Sequence, residues 1–136
     1  MKRLILATTS LMILLGAAFV SAQALTLTDA MRTIGKEFRT LNETALDPAQ
    51  KALATESARR MAAGFISAKE FIPISVLELA SDEQAAMIQR YTELIQDGAN
   101  LSEELAVAIE QDRSADVEIL LAKLGDLRKT GHREFR

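Results

Sequence analysis

From Leu27 to the C-terminus, apolar residues return every three or four positions, and that spacing restricts the chain to helices with one buried stripe each. The first stripe reads Leu27, Met31, Ile34, Phe38, Leu41 and Ala45, with Thr26 or Thr28 placed to cap its start and Asp29 in the first turn. A second opens at "LDPAQ", where Asp47 suits the N-cap, Pro48 the first helical position and Gln50 the third. It continues through Ala54, Ala58, Met61, Phe65, Ala68 and Ile72 to a stop at Pro73. Residues 73–80 show no helical face and read as a connection packed across one end. Ser81 and Gln84 form a capping-box pair that opens a third stripe: Met87, Tyr91, Leu94, Gly98, Leu101, Leu105 and Ala108. "QDGAN" is a turn signal inside it, but the unbroken register argues for one helix with a soft spot. After "EQDRSAD", a fourth stripe runs Val117, Leu120, Leu124, Leu127 and Gly131. Four amphipathic helices with mostly short turns predict an all-α fold, an antiparallel up-down-up-down four-helix bundle.

The first 24 residues stand outside that pattern. Lys2 and Arg3, an apolar run from Leu11 to Val20 and the triplet Ala22-Gln23-Ala24 have the order of a secretory signal. Cleavage after Ala24 would leave residues 25–136 as one domain, exported to the periplasm, with no stable membrane association. Loss of Lys2 and Arg3 lowers the 16 Lys and Arg to 14 against 19 Asp and Glu, an acidic balance that argues against nucleic-acid binding. No cysteine is present, which removes disulfides, thiolate metal sites and covalent haem attachment through C-x-x-C-H. No nucleophile and base stand paired, and the acidic residues are spread over solvated helix faces, so the chain reads as a binding protein and not an enzyme.

Chemistry concentrates at the two ends. His132, the single histidine, lies about one turn from the end of the fourth helix, and Met31 about one turn from the start of the first. In an up-down-up-down bundle both sit roughly 6 Å below the same end, at about 1.5 Å per residue. A thioether and an imidazole on opposite walls can ligate a haem iron on its two faces. Each residue alone has an ordinary reading, Met31 as core and His132 as a cation at the negative end of a helix dipole.

"LTLTDAMRTIGKEF", with Met31, Ile34 and Gly35, and the closing "LRKTGHREFR" together resemble the cytochrome b562 and cytochrome c′ superfamily. The resemblance implies Met31 and His132 as axial ligands of one non-covalent haem b per chain, Arg128 and Gly131 standing where the c-type members carry cysteines. It implies a monomer that transfers electrons with a redox partner protein. Arg128, four residues before His132, then lies beside the haem, where it could pair with a propionate or stay solvated. Phe71, Ile72, Pro73, Met87 and Tyr91 fall at the same end and would wall the haem or simply form core. Gly35 and Gly125 would either make room for a porphyrin or reflect close helix packing. The alternative reading is a haem-free bundle with a structural or copper-handling role, since Met and His suit copper(I), although two such ligands make a poor site.

Overall fold

A computed structural model describes residues 26–136. The expected signal peptide, residues 1–24, and its cleavage point lie outside the described residues. The described chain is all-helical, with five helices packed against each other: α1 (Leu27–Thr44), α2 (Lys51–Ala68), α3 (Ile74–Leu77), α4 (Ser81–Glu110) and α5 (Ser114–Phe135).

The starts and stops have local causes. Thr26 caps α1, its Oγ1 accepting from the Asp29 N–H at 3.1 Å and donating to the Asp29 carboxylate at 2.8 Å. Asp47 accepts from the Ala49 N–H at 2.9 Å, and a 3-10 turn, Pro48–Gln50, leads into α2. The α4–α5 turn closes through two backbone bonds, Arg113 N to Ala108 O at 2.9 Å and Asp112 N to Ile109 O at 3.2 Å. That closure puts Asp112 at φ 56°, a left-handed conformation that aspartate tolerates better than most side chains. Lys51 Nζ then ties the turn to α2 by an ion pair to Asp112 at 2.8 Å.

Two junctions differ from expectation. Residues 73–80 are not a featureless connection: they contain the single turn α3, whose Val76 is buried. The Ser81–Gln84 capping box does not form. Ala80 is the N-cap of α4, and the Gln84 amide instead donates back to the carbonyls of Leu77 (3.0 Å) and Leu79 (2.8 Å), lacing α3 to α4. The helix itself runs unbroken through Gly98, where Ser102 Oγ donates to the Gly98 carbonyl at 2.7 Å.

Small residues let the helices approach closely. A Cβ placed at Gly64 would lie 3.0 Å from Ile34 Cγ1, and one at Gly98 would lie 2.6 Å from Phe65 Cζ, so these glycines mark the α1–α2 and α2–α4 contacts. α2 packs on both α1 and α4, and α5 packs chiefly on α4, whereas α1 and α5 make few close backbone approaches. The core is aliphatic and alanine-rich: Leu41, Ala54, Ala58, Met61, Leu105, Val117 and Leu124 are fully or almost fully buried.

The buried line on α1 is rotated from the expected stripe. Ala30, Glu37, Leu41, Thr44 and Ala45 face inward, while Leu27, Ile34 and Phe38 are half-buried and Met31 is 38% exposed. Glu37, only 4% exposed, accepts from Arg60 Nη2 at 3.1 Å, and the same nitrogen donates to Ser57 Oγ at 3.1 Å. The Glu37 hydrogen bond raises the Arg60 guanidinium above its ordinary value despite some desolvation. A carboxylate can occupy this position because its charge is met from the neighbouring helix.

Candidate cofactor site between α1 and α5

Contacts between neighbouring helices establish which ends lie together. Gly64, near the end of α2, lies against Ala30, Thr33 and Ile34 near the start of α1. Ala68, the last residue of α2, accepts a 2.7 Å hydrogen bond from the hydroxyl of Tyr91 in α4. The Tyr91 ring in turn meets Phe135, the last residue of α5, edge to face with centroids 5.4 Å apart. The start of α1 and the end of α5 therefore share one end of the molecule.

One side-chain contact sets the register across the gap. A Cβ at Gly125 in α5 would lie 3.8 Å from Phe38 Cζ in α1. Met31 precedes Phe38 by seven residues, and His132 follows Gly125 by seven. Seven residues are two turns, about 10.5 Å, and return a side chain to nearly the same face. Counted from the Phe38–Gly125 contact, Met31 and His132 therefore lie the same number of residues toward the shared end of α1 and α5.

Two glycines near Met31 and His132 border open space. A Cβ added at Gly35, one turn after Met31, or at Gly131, beside His132, would meet nothing within 4 Å. Gly125, by contrast, is in ordinary van der Waals contact with Phe38, so of the two glycines expected to make room only Gly35 borders open space. Met31 and His132 are both exposed, Ile34 and Gly35 half-buried, and Arg128 exposed one turn before His132.

The remaining expected wall residues belong to the same end and range from buried to exposed. Pro73 is buried at the start of α3, Met87 is half-buried one turn before Tyr91, and Tyr91 is 4% exposed. Burial pushes the Tyr91 hydroxyl up to about 12, so it stays protonated and donates to Ala68. Phe71 is half-buried and Ile72 exposed.

Electrostatics favour a neutral imidazole and an anionic neighbour. Partial burial, then the charges of Arg136 and Arg128, hold His132 below its ordinary value of 6.5. The last nine residues carry Arg128, Lys129, Arg133 and Arg136 against one carboxylate, Glu134, in a chain that is acidic overall. Glu134 is itself paired with Arg90 of α4, whose hydrogen bond holds the carboxyl below its ordinary value. Neither this pair nor the Phe38–Gly125 contact can be read from spacing, because each joins residues of helices far apart in sequence.

Two clefts lie away from Met31 and His132. One lies at the turns, bounded by Leu46, Pro48 and Asp112, and another runs along α4 and α5 beside Val107, Ile119 and Lys123; neither is lined by a methionine or histidine. Among the described residues no group of three or more His, Cys, Asp or Glu side chains could hold a metal ion, and no helix is long and apolar enough to cross a membrane. Compared with family models, curated proteins and solved structures, the chain matches none.

Proposed function

We propose that this protein is an exported electron-transfer protein resembling cytochrome b562: an antiparallel up-down-up-down four-helix bundle that binds one haem b without a covalent bond. α1, α2, α4 and α5 are the four bundle helices on this reading, and α3 is a one-turn bridge between the second and third. The observation that supports it is the equal seven-residue spacing of Met31 and His132 from the Phe38–Gly125 contact, with Gly35 and Gly131 nearby bordering open space.

The residues present fit the group. His132 supplies an imidazole kept neutral by its surroundings, the form needed to ligate. Met31, 38% exposed, would supply a thioether from α1. Arg128 stands where it could meet a propionate, and the surrounding cations favour a ligand with two carboxylates. When bound, haem supplies a one-electron Fe(III)/Fe(II) couple. Met31 and His132 would hold it, and a thioether donor would favour the reduced iron, raising the potential relative to two nitrogen donors. The chain's own work is to hold and orient the group, with Phe38 packed on Gly125 at the inner limit of the gap.

The visible spectrum of the purified protein tests this. Sharp reduced bands are expected, and acid–acetone should extract all colour, because no cysteine holds the haem. A protein that stays colourless after haem is added would refute the reading in favour of a haem-free bundle; colour retained on the polypeptide would refute the non-covalent assignment.

A further inference from the structure

The last turn of a chain ordinarily frays, and Gly131 weakens the helical preference of this one. α5 nevertheless remains helical through Phe135, and three neighbours hold its end. Arg90 of α4 forks onto Glu134, with Nε to Oε2 at 3.0 Å and Nη2 to Oε1 at 3.3 Å. Ser75 Oγ of α3 donates to the Phe135 carbonyl at 3.1 Å, satisfying one of the acceptors that a helix end leaves open. The Phe135 ring is seated against Tyr91, which its own hydroxyl fixes to Ala68.

Glu134 is otherwise badly placed. A carboxylate in the last turn opposes the helix dipole, and here it would also repel the carboxylates of a haem held nearby. Its carboxylate is instead engaged by the Arg90 fork. Resting on the haem reading above, we infer that Arg90, Glu134 and Ser75 form a clasp that fixes the last turn of α5 and so positions His132 toward the gap. They are positioning residues: none of them is a ligand, and each acts through the helix that carries His132.

The sign of one substitution separates this from simple electrostatics. Removing a negative charge close to an anionic ligand should tighten binding, whereas opening a clasp should loosen it. Glu134→Gln is compared with Glu118→Gln, an exposed position on the same helix, by haem titration, ferric spin state and hydrogen exchange of the haem-free protein. Glu134→Gln is expected to speed exchange at residues 131–135, to raise the haem Kd roughly tenfold and to increase the high-spin fraction. Ser75→Ala should move all three the same way by less, and Glu118→Gln should leave them unchanged. Faster exchange with equal or tighter haem binding would show a clasp that does not position the ligand, and unchanged exchange would show no clasp; either overturns the inference with the haem reading intact. Wild-type protein that takes up no haem overturns both together.

Discussion

Gly98→Ala probes the close contact between α2 and α4. The added methyl would lie 2.6 Å from Phe65 Cζ and 2.7 Å from Cδ1, where carbon atoms ordinarily settle at about 3.5–4.0 Å. The ring would have to retreat by about 1 Å, and Phe65 is 5% exposed within the core, so α2 and α4 must part or the ring must leave its place. Such overpacking costs about 1–3 kcal/mol. An overlap this deep belongs to the upper part of that range, about 2–3 kcal/mol, and alanine returns about 1 kcal/mol of helical preference, so the net loss is about 1–2 kcal/mol. For a domain of this size that lowers Tm by about 4–8 °C. Thermal circular dichroism and urea titration measure it, with the urea midpoint falling at unchanged slope. Gly131→Ala is the internal control: its methyl meets nothing, and the haem-free protein should gain about 0.5–1 kcal/mol. A Gly98→Ala protein as stable as the parent, or more so, would refute the close α2–α4 crossing.

Three further outcomes follow from the same contacts. Tyr91 is the one tyrosine and there is no tryptophan, so phenolate absorbance reports it alone; the midpoint should lie near 12 or coincide with alkaline unfolding, and one near 10 would mean that the hydroxyl is not buried. His132 binds a proton less readily folded than unfolded, so its contribution to stability is complete above about 6.5 and is lost as pH falls below that value; the urea midpoint of wild type should drop more between about pH 7.5 and about pH 5 than that of His132→Gln, and parallel curves would contradict it. Gly35→Leu should weaken haem binding by roughly tenfold or more while the haem-free protein keeps its stability, and unaltered haem affinity would place the ligand elsewhere.

The long helices were legible because a 3.6-residue period is written directly into the order of residues. The continuity of α4 through Gly98 could be read from the stripes on either side, against the local turn signal. What escaped depends on partners distant in sequence. Glu37 looks like surface until Arg60, in the next helix, is beside it. Gln84 looked like half of a capping box, yet the folding-back of α3 gave its amide two carbonyls to serve instead. Met31 lay on the expected apolar stripe, but α1 turns Ala30 and Glu37 toward α2 and leaves Met31 at the edge of the gap. That displacement from the core could not be read from spacing, because one residue of rotation moves a side chain by about 100°.

The most direct test compares haem binding by Met31→Ala and His132→Ala. Imidazole is the stronger donor to ferric iron and thioether prefers the ferrous state. Met31→Ala should therefore keep its haem, turn largely high-spin when oxidised, and show a lower reduction potential than wild type. His132→Ala should lose most of its ferric haem affinity. If both variants bound haem with the spectrum and potential of the parent, Met31 and His132 would not be its ligands, and His132 would be only a basic residue at the end of α5.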